Sequence, residues 1–294
     1  MKTRVLIKEG QYRLNRAGCP DPKIDSEELF CFLTGMDRVE VFLHADEEVD
    51  EETERKYLKL IRRREERVPL QHIVGEQEFM GFRFEVNEDV LIPRQDTETL
   101  VAEAARTLRE QPVQKKSFLD KLRRTKGREI LDLCCGSGIV GISLARIIDD
   151  IDITASDISE AAITLARRNA SINHVEIEFK QGDLFMPHGE RKFDMILSNP
   201  PYIKTNMIGM LQDEIKDHEP REALDGGRDG LNFYRRIIPE APEYLKDEGY
   251  LLMEIGNDQG EALRKMLNES GAFKDIEIIR DMAGRDRVVK CRRK

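Results

Sequence analysis

The run Ser198-Asn199-Pro200-Pro201-Tyr202 presents hydrogen-bond acceptors beside an aromatic face. Proline has no N–H to give to a strand ladder, and it restricts the residue before it to extended geometry. The two prolines therefore end a strand and leave the Asn199 side-chain oxygen and the Pro200 carbonyl projecting together, next to the Tyr202 ring. A planar NH2 group, with two N–H donors and a π face, matches these three features. Read in isolation, the run is equally a proline-rich turn. Its position after a nucleotide-type loop favours the chemical reading.

That loop is Leu131-Asp132-Leu133-Cys134-Cys135-Gly136-Ser137-Gly138, leading into an apolar helix. Glycine lets the backbone turn tightly and approach a ligand. The carboxyl end of a first parallel strand is where nucleotide-like ligands sit. The next strand ends at Asp157, nineteen residues after Gly138, where a carboxylate can accept hydrogen bonds from both ribose hydroxyls. Gly136, Gly138 and Gly141 satisfy the spacing G-x-G-x-x-G of dinucleotide folds. Two features argue against a dinucleotide. Asp132, just before the turn, opposes a pyrophosphate and suits a ligand ammonium. Gly182-Asp183-Leu184-Phe185, closing the third strand, suits the edge and face of an adenine. An ammonium at one end and an adenosine at the other describe S-adenosylmethionine.

These residues need a parallel sheet to bring them together. From residue 128 onward the pattern alternates between strands (129–133, 151–156, 175–180, 193–198, 250–255, 275–279 and 287–291) and helices (139–148, 159–171, 231–245 and 259–270). Such βαβα order predicts a doubly wound, mostly parallel α/β sheet of seven strands, the last two forming an antiparallel hairpin. A further helix is expected over 97–109, and a solvated basic connection over 114–128. Phe82, Phe84 and Val86 alternate after Met80-Gly81, which predicts a β-hairpin. Upstream, acids precede Leu29, Phe32 and Leu33, and again Tyr57, Leu60 and Ile61, which reads as a helical region with acids in first turns. The expected organisation is a small N-terminal helical domain over 1–71 that docks substrate, a hairpin linker over 72–95 and a catalytic domain over 96–294.

Composition narrows the class. The chain has 294 residues, 48 Lys+Arg and 57 Asp+Glu, a net charge of −9 with His neutral, and 39% hydrophobic residues. That is enough apolar matter for real cores, at a length suited to about two domains. The acidity argues against a protein that wraps bare DNA, since phosphate binding draws on Lys and Arg. No apolar run reaches the ~18 residues of a membrane span, and no secretory leader is readable. Five cysteines without a CxxC pair give no disulfide framework or cysteine zinc site, and His72, His174, His188 and His218 lack metal spacing. The expectation is a soluble cytoplasmic protein without a metal. The basic run from Arg55 to Arg67 reads as a solvated helix face, or else as a docking face. The Cys134-Cys135 pair reads as packing.

The loop, Asp157 and the Asn-Pro-Pro-Tyr run together resemble the class I S-adenosylmethionine-dependent methyltransferases that modify amide or exocyclic amino nitrogens. Further runs narrow the resemblance to the protein-(glutamine-N5) methyltransferases acting on peptide chain release factors: 67–75, Glu78-Phe79-Met80-Gly81, Leu91-Ile92-Pro93-Arg94-Gln95-Asp96-Thr97-Glu98, 218–227 and Asp286-Arg287-Val288-Val289. Gln95-Asp96 stands where that family usually has Pro-Glu, and Cys134-Cys135 where it commonly has Gly-Thr. The resemblance implies methyl transfer from S-adenosylmethionine to the side-chain amide N5 of the glutamine in a release factor's Gly-Gly-Gln loop. It implies Asn199, Pro200, Pro201 and Tyr202 as catalytic residues. It implies a cofactor site of Asp132, Cys134, Cys135, Gly136, Ser137, Gly138, Asp157, Asp183, Leu184 and Asn199. The turn formers over 218–227 read as a loop over the substrate, or else as a plain connector. Two alternatives stand beside the release-factor enzyme: a ribosomal-protein glutamine methyltransferase, which is nearer in chemistry, and an adenine-N6 DNA methyltransferase, which shares the tetrapeptide. The second fits poorly with the charge and with the lack of a base-reading domain. A scaffold that has lost catalysis would show a damaged tetrapeptide, and here it is intact. No sequence-specific nucleic-acid binding is expected.

Overall fold

Strand β3 (Arg128–Leu133) sends Ile130 to one face of a sheet and Leu131 and Leu133 to the other, the period-2 alternation of a strand buried on both sides. The same division holds for Leu197 and Ile196 in β6 (Phe193–Ser198) and for Leu252 and Leu251 in β7 (Leu245–Glu254). With β4 (Ile151–Asp157), β5 (Glu178–Gln181), β8 (Phe273–Arg280) and β9 (Asp286–Arg293), they form a seven-stranded sheet of order β5-β4-β3-β6-β7-β9-β8. Five strands are parallel, and β9 pairs antiparallel with β7 and with β8. The doubly wound α/β class expected from the pattern is the class observed.

Helices cover both faces. On one side lie α6 (Glu98–Glu110), α7 (Ile139–Ile147) and α8 (Glu160–Ile172), and on the other α10 (Asn232–Tyr244) and α11 (Gly260–Ser270). The hairpin β1 (Glu76–Phe79) and β2 (Phe82–Glu85) packs Phe79 and Phe84 into the first of these cores. Asn169, fully buried in α8, receives the Glu85 amide at 2.7 Å and donates to the Glu85 and Ser137 carbonyls at 3.0 Å, fastening the hairpin and the glycine loop to one helix.

The computed structural model describes residues 1–110 and 127–294; most of the basic connection expected over 114–128 lies outside the described residues. The chain divides into two compact units, Met1–Glu76 with Leu211–Glu219, and Gln77–Met210 with Pro220–Lys294. The first unit comprises α1 (Thr3–Arg16), α2 (Pro22–Thr34), α3 (Arg38–Leu43), α4 (Glu51–Glu65), α5 (Leu70–Val74) and, much later in the chain, the short α9 (Asp213–Lys216). Its core is Leu6, Leu14, Leu29, Phe30, Tyr57 and Ile61, with the Phe30 and Tyr57 rings edge-to-face at 5.6 Å.

Several sequence expectations need correcting. Helix α2 starts at Pro22 rather than after Asp25, because proline is well placed in a first turn. Its buried pair is Leu29 and Phe30, while Phe32 is exposed. The strand expected over 175–180 is only Glu178–Gln181, since the Val175 amide is taken by the Ala170 carbonyl at the end of α8. The basic run is not uniformly solvated. Arg64 is 4% exposed and donates to Asp25 at 2.7 Å and to Glu214 at 2.9 Å, and Arg67 also donates to Glu214 at 2.9 Å. This buried ion cluster holds Leu211–Glu219 within the helical unit.

Candidate active site

Parallel strands whose carboxyl ends share one edge bring distant residues together. Leu133 is in register with Ser156 on one side and Ser198 on the other, so the loop after β3 lies between the ends of β4 and β6. This is the point where the strand order reverses, the place where open α/β sheets bind ligands. The chain turns there through Cys134 (φ 58°), Gly136 (φ 53°) and Gly138 (φ 82°). A Cβ at Gly138 would meet Ile142 Cδ1 at 2.9 Å, so this glycine lets the turn pack on its own helix, whereas a Cβ at Gly136 would point into open space. Cys134 holds a left-handed conformation that favours glycine. This explains why glycine is the common residue there in the family the sequence resembles.

Asp132 is 1% exposed. Its Oδ2 accepts from the Gly141 amide in the first turn of α7 at 2.9 Å, and its Oδ1 accepts no hydrogen bond among the described residues. Burial pushes its carboxyl up to about 7, the Gly141 amide pulls it down, and Asp157 adds to the rise. Asp157 is half-buried, with Oδ2 accepting from the Gly136 amide at 2.9 Å and Oδ1 from the Ser159 amide at 3.0 Å. Burial raises its pKa against these amides. The Gly182 amide donates to the Asp157 carbonyl at 2.9 Å, bringing the turn of Asp183 and Leu184 alongside. Asp183 is paired with Arg236 at 2.7 Å, and Leu184 is buried at φ 46°. Burial raises the thiol pKa of both Cys134 and Cys135, which suits packing rather than nucleophilic chemistry.

This arrangement fits S-adenosylmethionine. The orphaned Asp132 oxygen suits an ammonium, or a water bridging to one. The open side of Gly136 leaves room for close approach, and each Asp157 oxygen keeps a lone pair for a ribose hydroxyl. The carboxylate of Asp157 also favours a sulfonium cation.

At the end of β6, Asn199 is half-buried and Pro200 buried. The Asn199 Nδ2 donates to the Thr97 hydroxyl at 3.2 Å. Tyr202 donates its hydroxyl to Glu254 Oε1 at 3.0 Å. The backbone after the prolines is braced: Gln259 Nε2 donates to the Tyr202 carbonyl at 3.0 Å, Ile203 N–H donates to the Leu224 carbonyl at 3.0 Å, and Gly226 N–H donates to the Ile203 carbonyl at 2.8 Å. A Cβ at Gly226 would lie 2.7 Å from Tyr202 Cα. Gly226 thus abuts the tetrapeptide itself.

Sequence pattern assigns no role of its own to Thr97, which stands in the run 91–98, or to Glu254, Gln259 and Asn169. Glu254 carried a signal, an acid closing the apolar run Leu251-Leu252-Met253, and Asn169 another, a polar residue on the Ala162, Leu165, Ala166 face of its helix. Asp96 forms an ion pair with the buried Arg287 at 2.9 Å, so a carboxylate has a partner here despite the departure at Gln95-Asp96.

Residues 6–75 match the family described as PrmC N-terminal domain, and residues 114–217 the Methyltransferase small domain. A protein of Geobacter sulfurreducens named release factor glutamine methyltransferase is 39% identical over 276 residues, covering 94% of this chain and 91% of its own. One of the same name from Clostridium botulinum is 37% identical over 297 residues, covering 100% of both chains. Among solved structures, the hMettl16 catalytic domain in complex with MAT2A 3'UTR hairpin 6 has a TM-score of 0.54 at 14% identity, over 76% of this chain and 79% of its own. That likeness is one of fold.

Proposed function

The chain belongs to the family of release factor glutamine methyltransferases, and from that premise we propose that Asn199 and Pro200 hold the glutamine side-chain amide of a release factor during its methylation. The protein is an S-adenosylmethionine-dependent methyltransferase acting on a release-factor glutamine. The cofactor, when bound, supplies a methyl group on a sulfonium and leaves as a neutral thioether. Asp132, Asp157, Asp183 and the backbone from Cys134 to Gly138, with Leu184, are the residues that would hold it.

An amide nitrogen is a weak nucleophile because its lone pair is delocalised into the carbonyl. Two acceptors on its N–H groups favour the positive charge that develops as the nitrogen attacks, and they fix the nitrogen in line. Asn199 Oδ1 and the Pro200 carbonyl are those acceptors, and the Tyr202 ring supports the amide plane. The surplus proton leaves after transfer, so no strong base is needed.

One observation carries this reading. The Asn199 amide nitrogen is committed to Thr97. The Thr97 side chain also lies beside the Glu254 carboxyl. With its nitrogen donating to Thr97, the Asn199 amide leaves its oxygen for the substrate.

The helical unit supplies the grip on the protein partner. Phe32, Leu33 and Leu60 line a groove on it together with Lys56, Lys59 and Arg63, a mixture of apolar and cationic side chains suited to a protein surface. Among the described residues no helix is long and apolar enough to cross a membrane. Five free cysteines fit a reducing cytoplasm, and a net charge of −9 fits a protein substrate better than a nucleic acid. Incubation with labelled S-adenosylmethionine and purified release factor, followed by mass mapping, tests the assignment. One methyl group on the Gly-Gly-Gln glutamine supports it. Label entering a ribosomal protein or DNA, with none on the release factor, overturns it.

A further inference from the structure

Glu254 stands at the end of β7, beside the end of β6, where Ser198 is in register with Met253. It is 1% exposed, an unusual place for an acid. A buried carboxyl needs a reason to persist, because an apolar residue would avoid its desolvation. The groups around it come from separate elements. The Tyr202 hydroxyl from the catalytic loop donates to Oε1 at 3.0 Å. Thr97, from the turn before α6, is 1% exposed, and its side chain lies beside the carboxyl and lowers its pKa. Tyr234 of α10 donates to the Glu254 backbone carbonyl at 2.7 Å. Arg287 of β9 and Asp96 add charge nearby. Glu254 Oε2 accepts no hydrogen bond among the described residues.

The chain Glu254–Thr97–Asn199 and the pair Glu254–Tyr202 reach the first and last residues of the tetrapeptide from a single carboxyl group. We propose that Glu254 is a positioning residue for methyl transfer, orienting the Asn199 amide through Thr97 and the Tyr202 ring through its hydroxyl. This rests on the reading of Asn199 as the amide-holding residue. Tyr202 is tied at its hydroxyl to Glu254 and at its carbonyl to Gln259, so its ring has little freedom. Without an acceptor at residue 254, the Thr97 hydroxyl is free to turn and donate to the Asn199 oxygen. The same oxygen would then be withdrawn from the substrate. Glu254 touches neither substrate nor cofactor in this scheme, and its effect belongs in the rate of transfer rather than in cofactor binding.

Single-turnover methylation of release factor at saturating S-adenosylmethionine provides the test. Glu254→Gln, which keeps one acceptor oxygen, is expected to slow transfer roughly tenfold, and Glu254→Leu, which keeps none, about 100-fold, the scale of a small misplacement of reacting groups. Calorimetric affinity for S-adenosylmethionine stays at the wild-type value in both. In a Thr97→Val/Tyr202→Phe background, which lacks both connecting hydroxyls, Glu254→Gln should change the rate less than about twofold. Three results overturn the proposal: wild-type rates in both Glu254 variants, weakened cofactor affinity that accounts for the loss, or the same tenfold fall in the Thr97→Val/Tyr202→Phe background. The last two mark a role in binding or stability. Asn199→Ala run alongside separates the two claims, because a wild-type rate in that variant removes the reading of Asn199 itself, whatever Glu254 does.

Discussion

The Asn199 side-chain nitrogen donates to the Thr97 hydroxyl at 3.2 Å, across 102 positions of sequence. The tetrapeptide thus does not orient itself. Its two prolines fix the backbone, and a residue from the turn before α6 decides which way the asparagine amide faces.

Asp157 is expected to matter twice. Its carboxylate receives the Gly136 and Ser159 amides, so Asp157→Ala leaves the glycine loop without its anchor and also removes the proposed ribose acceptor. Calorimetric titration should show S-adenosylmethionine affinity reduced by about 1.5–3 kcal/mol. Urea unfolding should show stability lowered by about 1 kcal/mol or more. Unchanged affinity takes Asp157 out of the cofactor site.

Arg64 anchors the segment Leu211–Glu219 inside the helical unit through Asp25 and Glu214. Arg64→Ala strands a buried carboxylate and should destabilise the full-length protein by about 3 kcal/mol or more. The denaturant midpoint checks this, and an unshifted midpoint contradicts it. Deleting residues 1–70 does not isolate substrate docking, because it strips Glu214 of both arginine partners. Charge reversal of Lys56, Lys59 and Arg63 is the cleaner probe.

Asp132 makes the apoprotein less stable at high pH. Its carboxyl is pushed up to about 7 from 3.8, chiefly by burial. Between those values the folded chain holds a proton that the unfolded chain has lost. Stability present at low pH is therefore lost as pH rises through the folded value. Glu254, also pushed up to about 7 by burial, acts in the same direction. His188, held down to about 4, opposes both below its unfolded value near 6.5. The difference between wild type and Asp132→Asn isolates one group. From about pH 5 to about pH 8 the wild type should lose more stability than the variant in urea melts. Parallel pH curves would contradict the buried, unpaired state of Asp132.

Much of the catalytic sheet was legible in the sequence because strand alternation and glycine turns are local signals. The glycine loop, Asp157 and the Asn-Pro-Pro-Tyr run could be placed on strand ends for the same reason. What escaped was tertiary. Thr97 and Glu254 face each other from distant parts of the chain, and no local periodicity marks such a pair. Arg64 looked solvated because it lies in a run of cations, and only the fold supplies Asp25 and Glu214. Helix α1 lies inside the region expected to be helical, but nothing local marks its start, because Leu6 and Leu14 are spread thinly among charged residues.

The central claim is that Asn199 and the Pro200 carbonyl hold the two N–H groups of the substrate amide. The single-turnover rate of Asn199→Ala on release factor, at saturating S-adenosylmethionine, tests it most directly. Loss of one preorganised partner should slow transfer ~10²–10³-fold, with cofactor affinity unchanged because the loop and Asp157 remain. A rate close to wild type would show that the amide is held elsewhere and that the two-acceptor site is wrong.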